Sequence, residues 1–405
     1  MSKIKFYIGI IIILVFELPV LPLLSCANNS SNSNSSGSKT PANTINSSVE
    51  SVESTEETTE EITETTEPEE TDTSPKYPQY VLPESPLLDP EGYQGTAWVV
   101  IGKDGYLYEN GYINEYLGTA PKYVNVTDDE LISRAETLKY IQDALAQKGI
   151  AFCVAISPSK AGNLPQFIPD FYKTDHITPE GYIRPYIRFK KFLEDKGVYF
   201  VDSETVYKSV GLTNTFPKTG IHWNKLASYE TTCAVIAEYE RQTGIEVRHI
   251  ASDGIIYKPN PPPFVGNEQD IFGVVYSGKR QEMKTAIIDD KYYWHEMFID
   301  DKSKPKIGHM IIQGGSFTGD FGYYFGDLKI AESVTSYYYN NSGKVNIKWE
   351  NEINKTKFVL LEVNEQFVYN MGGNAPQWAE NDVNILPLGK NIVDSLYDYL
   401  AANPD

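Results

Sequence analysis

Two short motifs carry side chains that together could perform nucleophilic acyl transfer. Ser316 directly follows Gly314-Gly315, at the end of an apolar run, Met310–Ile312, that predicts a buried strand. His222 lies 94 residues earlier, in the segment Lys218-Thr-Gly-Ile-His-Trp-Asn224. A serine hydroxyl is a weak nucleophile until a base removes its proton, and histidine is the usual base. If both residues lie at the same end of one sheet, they form a candidate Ser–His pair.

Each motif also has an ordinary structural interpretation. A Gly-Gly-Ser turn can simply join a strand to a loop, and a single histidine is often a hydrogen-bond partner within the fold. The glycines would let the chain turn sharply and bring backbone N–H groups close to a substrate. Open α/β sheets hold their ligands beyond the carboxyl ends of their strands, and catalytic partners usually lie on the loops there. The two motifs taken together favour the catalytic interpretation.

The elements around these motifs predict an α/β fold. Capping and stop signals predict helices from Thr127 to about Lys148, from Thr178 to Gly197, from Asn224 to Thr243, and over about 390–402. Apolar runs predict strands over 96–101, 106–108, 150–156, 198–201, 247–250, 307–312 and 358–363. This alternation of strand and helix is typical of an α/β sandwich with a mostly parallel sheet.

Residues 1–25 predict a signal peptide of the lipoprotein type. Lys3 and Lys5 precede a long apolar run, and Leu23-Leu-Ser-Cys26 resembles a bacterial lipobox in which Cys26 is the lipidated residue. An uncleaved membrane anchor is the alternative, because the run is nearly long enough to span a bilayer. Either interpretation places the remainder of the chain outside the cytoplasm.

Residues 26–76 predict a disordered tether rich in Ser, Thr and Glu. Glu50 to Asp72 holds eleven acidic residues and no Lys or Arg, which is over half of the formal net charge of −20. The remaining domain, residues 77–405, is therefore only mildly acidic, and no basic cluster indicates nucleic-acid binding. Cys153 and Cys233 lie in apolar segments that predict buried free thiols. No paired Cys/His spacing indicates a metal, and no motif indicates a cofactor.

The order and spacing of six motifs across residues 90–405 resemble the SGNH-hydrolase-like domain of alginate O-acetyltransferases of the AlgJ/AlgX type. These motifs are Gly102–Tyr108, Tyr116–Gly118, Ile156–Lys160, Thr219–Asn224, Gly314–Phe317 and Leu361–Glu365. The resemblance implies a three-layer α/β/α sandwich in which Ser316 is the nucleophile and His222 the base. It further implies transfer of acetyl groups onto an exported polysaccharide, with the acetyl group supplied by a membrane-bound O-acyltransferase.

One position departs from the family pattern. The family has an aspartate two residues before the histidine, and this chain has Gly220. The orienting acid of a serine–histidine site holds the imidazole tautomer, and changing it to its amide slows a serine protease by about 10⁴-fold. A backbone carbonyl could orient His222 instead, or the enzyme could be weak or inactive. The acidic residues that could substitute are Asp320, four residues past the nucleophile, and Asp202, Glu362 and Glu365.

The oxyanion that forms during acyl transfer needs hydrogen-bond donors close to the nucleophile. The backbone N–H groups of Gly315, Ser316 and Phe317 are the natural donors. A side-chain amide from Asn340 or Asn341 could add to them, although a polar turn after a strand explains these residues equally well.

Three functions follow from these expectations. The first is a surface-anchored O-acetyltransferase acting on an exported or cell-wall polysaccharide, with membrane contact only through its lipid anchor. The second is a carbohydrate esterase or deacetylase that uses water as the acceptor. The third is a catalytically silent glycan-binding lipoprotein, which Gly220 would allow. The 29 Tyr and 5 Trp suit stacking on sugars, although aromatic residues also fill cores.

Overall fold

A computed structural model describes residues 99–213, 215–217, 220–252, 256–258, 292–294, 297–338, 347–370 and 390–404. The predicted signal peptide, the tether and Cys26 lie outside the described residues, as do Asn340 and Asn341. Among the helices that the structure describes, none is both long enough and apolar enough to cross a membrane.

Eleven strands are described. They are β1 Val99–Ile101, β2 Leu107–Glu109, β3 Ala151–Ser157, β4 Phe200–Asp202, β5 Ile250–Ser252, β6 Ile256–Lys258, β7 Tyr292–Trp294, β8 Met297–Ile299, β9 Ile307–Gly314, β10 Ala331–Tyr338 and β11 Thr356–Asn364. Five of them form one sheet in the order β10-β9-β11-β3-β4, and every neighbouring pair is parallel. The others form antiparallel pairs, β1 with β2, β5 with β8 and β6 with β7. The predicted strands over 96–101 and 106–108 correspond to β1 and β2, which form a hairpin, and the predicted parallel sheet is confirmed.

Helices cover both faces of the five-stranded sheet. The helices are α1 Asn110–Leu117, α2 Pro121–Val124, α3 Asp128–Gln147, α4 Lys160–Asn163, α5 Asp170–Asp175, α6 Pro185–Lys196, α7 Ser203–Ser209, α8 Lys225–Thr243, α9 Thr318–Phe321, α10 Trp349–Ile353 and α11 Lys390–Ala402. A π-helix, Gly322–Asp327, continues α9, and 3₁₀ turns cover Lys103–Gly105, Pro165–Phe167 and Glu365–Asn370.

The alternation of side chains along the central strands produces two separate cores. Along β3, Cys153 and Ala155 pack in the core that contains Trp223 and Leu226 of the α8 region. The intervening residues of β3 face the other core, which holds the apolar stripes of α3, α6 and α11. All seven residues of β3 are buried, as expected for a strand covered on both faces. The architecture is therefore a three-layer α/β/α sandwich, as predicted.

Local capping signals place several helix ends. The Thr127 hydroxyl accepts from the Glu130 N–H, and the Glu130 carboxylate accepts from the Thr127 N–H, so the predicted capping box begins α3. Asn224 caps α8, and Gly244 ends it with a left-handed φ of 68°. Both ends of α8 agree with the prediction, so the residues that follow His222 are rigidly placed.

One predicted helix start is wrong. Thr178-Pro179 does not begin a helix, because the chain turns through Gly181, which has φ +74°, and α6 begins only at Pro185. Proline suits the first position of a helix, and this stretch offers it twice. The predicted strand over 247–250 also shifts, since the observed β5 is Ile250–Ser252. Cys153 is a buried thiol outside any disulfide, as predicted, whereas Cys233, which also forms no disulfide, is only half-buried.

Candidate active site

Ser316 lies directly beyond the carboxyl end of β9 and is exposed to solvent. Its turn is fixed at Gly315, whose carbonyl accepts from the Thr318 N–H at 3.2 Å and from the Thr318 hydroxyl at 2.6 Å. Neither Gly314 nor Gly315 has a positive φ, so a left-handed turn is not the reason for glycine there. The reason at Gly314 is space, because a Cβ built there would lie 2.5 Å from Oε2 of Glu362.

His222 is held by the residues that follow it. The Asn224 side chain accepts from the Ala227 N–H at 2.9 Å, and the Asn224 N–H donates to the Thr215 carbonyl at 2.9 Å. Trp223 is buried, and its ring packs edge-on against that of Phe317 with centroids 5.2 Å apart. The tryptophan beside the histidine and the phenylalanine beside the serine therefore bury one another, which joins the two motifs.

The structure brings the two predicted catalytic side chains together. Nε2 of His222 lies 2.6 Å from Oγ of Ser316, within hydrogen-bonding distance. The His222 ring also packs against that of Phe317, with centroids 4.8 Å apart. A base within hydrogen-bonding reach of an exposed hydroxyl is the geometry that nucleophilic acyl transfer requires.

Lys160 anchors the loop that carries His222. Its side chain is fully buried, and Nζ donates to the carbonyls of Pro217 at 2.6 Å and of Gly220 at 2.9 Å. The same ammonium lies 5.4 Å and 5.5 Å from the ring centroids of Tyr106 and Tyr108. A buried cation is tolerated where carbonyl oxygens and aromatic faces replace its water. The position where the resemblance expects an aspartate is thus held through its backbone.

The part of the chain from β1 to just beyond β5 matches a known protein family. Residues 99–255 match the family described as SGNH hydrolase-like domain, acetyltransferase AlgX. This region of the chain is therefore similar to an SGNH hydrolase-like domain of the AlgX acetyltransferase type. The resemblance found in the sequence motifs is therefore confirmed, and so is the α/β fold that it implied.

Three solved structures are similar to the chain at low identity. The O-acetyltransferase domain of Pseudomonas putida AlgJ is 14% identical with a TM-score of 0.44, over 71% of this chain and 99% of that one. Pseudomonas aeruginosa AlgX is 14% identical with a TM-score of 0.39, over 66% and 61%. Bacillus cereus PatB1 is 12% identical with a TM-score of 0.38, over 60% and 91%. No curated protein sequence matches the chain.

The four acids considered as substitutes at Gly220 lie in different environments. Asp320 is buried and forms an ion pair with Lys225 at the start of α8. Asp202 accepts from the Tyr186 hydroxyl at 2.8 Å and forms an ion pair with Lys190. Glu365 pairs with Arg184 at 2.7 Å. The fourth acid, Glu362, is the one whose pKa is influenced by His222.

Glu362 is a fully buried carboxyl behind the nucleophile. Its Oε1 accepts from the Ser157 hydroxyl at 2.5 Å, and its Oε2 accepts from the Gly315 N–H at 2.6 Å. Burial raises the pKa of Glu362 to about 7, while the two hydrogen bonds and the positive field of His222 act to lower it. Asp320, predicted as the leading candidate, instead ties the helix after Ser316 to the helix after His222.

The predicted oxyanion donors are only partly available. The Gly315 N–H donates to Glu362, so the prediction that it faces the oxyanion is wrong. A buried carboxylate oxygen is a stronger acceptor for the Gly315 N–H than a neutral carbonyl oxygen is. The N–H groups of Ser316 and Phe317, which precede α9, stay predicted donors.

Sequence reasoning missed two residues of this site. Lys160 ends the motif Ile156–Lys160 and carried a signal, because a lysine in an otherwise apolar and serine-rich turn after a buried strand needs a partner. Lys225 carried none, since a lysine at the start of a helix is usually exposed. In the structure, Nζ of Lys225 lies 5.2 Å from the ring centroid of Tyr323, beside its ion pair with Asp320.

Proposed function

We propose that this chain is an O-acetyltransferase that moves acetyl groups onto an exported or cell-wall polysaccharide through an acetylated Ser316. The observation that carries the proposal is the 2.6 Å contact between Nε2 of His222 and the exposed Oγ of Ser316. The AlgX-type domain makes acetyl the expected group, since the matched family is one of acetyltransferases. Cys26 would anchor the protein to the membrane as a lipoprotein, outside the cytoplasm.

The proposed reaction has two balanced steps. In the first, Oγ of Ser316 attacks the donor's acetyl carbonyl while Nε2 of His222 takes the hydroxyl proton, and the donor's leaving group departs with that proton. The developing oxyanion is stabilised by the N–H groups of Ser316 and Phe317. In the second, a sugar hydroxyl gives its proton to Nε2 of His222 while its oxygen attacks the acetyl carbonyl. The bond between the acetyl group and Oγ then breaks, and His222 returns the proton to Oγ, which restores Ser316. The acetyl donor would be supplied through a membrane-bound O-acyltransferase.

The site also explains how the histidine could work without the family aspartate. Lys160 fixes the backbone of the loop at Gly220, and Trp223 packs on Phe317, so both contacts help to place the imidazole ring. We therefore expect a slow but active enzyme rather than a silent one.

The test is mass spectrometry of the full chain after incubation with an activated acetyl ester. Ser316→Ala should abolish the acetyl adduct. His222→Ala should lower its rate of formation by several orders of magnitude, and the double variant should be little worse, because residues that act as one unit are not additive. The matched control is Ser209→Ala, which removes an exposed serine at the end of α7. Equal acetylation of Ser316→Ala and wild type would contradict the serine mechanism.

Two further experiments distinguish the remaining alternatives. The variant Gly220→Asp tests how His222 is oriented, and an assay with a glycan acceptor distinguishes a transferase, an esterase and a silent binding protein. Restoring the family aspartate should raise the acetylation rate if no other carboxylate orients His222, and should do little or harm if one already does. Acetyl recovered on added glycan identifies a transferase, whereas free acetate alone identifies an esterase. A chain that forms no adduct but still binds glycan would be the silent binding protein.

A further inference from the structure

Glu362 occupies the centre of the sheet at the level of the nucleophile. Its strand, β11, lies between β9, which leads to Ser316, and β3, which ends at Ser157. Leu361 pairs with Gln313 in this register, so Glu362 lies beside Gly314. Because side chains alternate along a strand, Glu362 shares its face with Leu360 and Phe358, which pack in the same core as Trp223. An acid at a core position on this face has no packing rationale of its own.

The carboxyl group of Glu362 bridges the ends of both neighbouring strands. Oε1 is bonded by the Ser157 hydroxyl at the end of β3, and Oε2 by the Gly315 N–H just beyond β9. The chain leaves room for this bridge, because a Cβ at Gly314 would lie within 2.7 Å of Oε2, the Cβ and the carbonyl oxygen of Glu362. The acid at 362 and the glycine at 314 are therefore complementary.

These contacts fix the peptide that precedes the nucleophile. The Gly315 N–H is held by Glu362, and the Gly315 carbonyl is held by the N–H and hydroxyl of Thr318. Ser316 is the next residue, so the placement of its Oγ against His222 starts from this fixed peptide. We propose that Glu362 is a positioning residue, which sets the Ser316 turn through the reach of its carboxyl group to the Gly315 N–H. This inference rests on the acyl transfer proposed above.

The geometry requires a side chain at position 362 that is long enough to accept from the Gly315 N–H, and it does not require that side chain to be charged. A protonated Glu362 can still accept from the Gly315 N–H through Oε2 while its hydroxyl donates to Ser157. The pKa of about 7 means that both forms are present near neutral pH, and both can hold the turn. Among the described residues, His222 is the charged group that acts to lower the pKa of Glu362.

Two substitutions of Glu362 distinguish the effect of side-chain length from the effect of charge. Glu362→Gln keeps the length, accepts from the Gly315 N–H and donates to the Ser157 oxygen, but carries no charge. Glu362→Asp keeps the charge but withdraws the carboxylate by about 1.5 Å, one carbon–carbon bond. A misplacement of about 1 Å in a catalytic arrangement lowers rates on the order of 10²-fold. Gly314→Ala should act like Glu362→Asp, since its Cβ would displace the Glu362 carboxyl.

The experiment measures the first-order rate of Ser316 acetylation at saturating acetyl ester, together with hydrogen exchange at the Gly315 amide, in the full chain. Glu362→Asp and Gly314→Ala should slow acetylation by on the order of 10²-fold, with little change in half-saturating ester concentration, and should speed exchange at Gly315. Glu362→Gln should stay within about threefold of wild type in both measurements. A merely structural role would speed exchange across the whole sheet instead.

The possible outcomes decide the inference separately from the proposed function. Wild-type rate and exchange in Glu362→Asp would overturn the positioning role, as would a Glu362→Gln variant as slow as Glu362→Asp. If Glu362→Asp fails to fold, the comparison of Gly314→Ala with Glu362→Gln decides in the same way. If wild type is never acetylated at Ser316, the proposed function fails, and exchange at Gly315 still tests whether Glu362 holds the turn.

Discussion

Replacing Glu362 with glutamine should change how the stability of the protein depends on pH. The carboxyl is fully buried between β9 and β3, and burial raises its pKa from 4.5 to about 7. Glutamine is isosteric and can keep the hydrogen bonds to Gly315 and Ser157, but it cannot titrate. The difference between the two proteins therefore isolates the ionisation of this one group.

The direction of the change in stability with pH depends on whether the folded or the unfolded chain loses the Glu362 proton at lower pH. Below pH 4.5 the Glu362 carboxyl is protonated in both the folded and the unfolded chain, and its contribution to stability is fully present. As the pH rises from 4.5 toward 7, the unfolded chain ionises while the folded chain still holds the proton, so the folded state loses stability. One pKa unit corresponds to about 1.4 kcal/mol. A pKa moved from 4.5 to about 7 thus corresponds to a loss of about 3 kcal/mol.

Urea denaturation of the wild type and Glu362→Gln, at intervals from about pH 4 to about pH 8, measures this loss. Over this range the free energy of unfolding of the variant should rise by about 3 kcal/mol relative to that of the wild type, because groups that do not interact with residue 362 titrate equally in both proteins. Glu332→Gln removes one exposed carboxyl on β10 and reports any general effect of losing a negative charge. A constant difference between Glu362→Gln and the wild type, or one of the opposite sign, would refute the reasoning.

Three further changes have defined outcomes. Cys26→Ala should abolish metabolic fatty-acid labelling, and label that persists in the variant would show that the lipobox interpretation is wrong. Lys160→Met should lower the free energy of unfolding by about 2–4 kcal/mol, because two carbonyls lose a buried charged donor, and should slow acetylation at least tenfold; unchanged urea midpoints would contradict this. Asp320→Asn should lower stability by about 1–2 kcal/mol through loss of the ion pair with the partly exposed Lys225, and a thermal melt identical to the wild type would argue against it.

Features set by local chemistry could be predicted from the sequence. The capping box at Thr127, the cap at Asn224 and the left-handed Gly244 each act within four residues, so α3 and α8 begin and end close to where the sequence places them. The buried strand β3 follows from its unbroken apolar run. The false helix start at Thr178 has the same origin, since a proline there gives as strong a local signal as Pro185.

Features set by contacts distant in the sequence could not be predicted. The Ser157–Glu362 bond joins residues 205 positions apart, and it depends on β11 lying between β9 and β3. Nothing local to Gly315 shows that its N–H is taken by a carboxyl from another strand. The Ser316–His222 contact was predicted because both motifs end up at the same edge of the sheet, whereas their buried supports, Lys160 and Glu362, depend on strand order.

The position of β11 also determines when the site can come into existence. β11 is the last strand of the five-stranded sheet along the chain, yet it lies in the middle, so β9 and β3 have no direct hydrogen-bonded contact without it. Chains are synthesised from the amino terminus, and pairing between strands far apart in sequence is slow to form. A nascent chain that has emerged only as far as Ser316 and α9 therefore lacks the strand that holds its nucleophile. If Ser316 acts as proposed, a chain truncated before β11 should not be acetylated, because its nucleophile lacks the central strand.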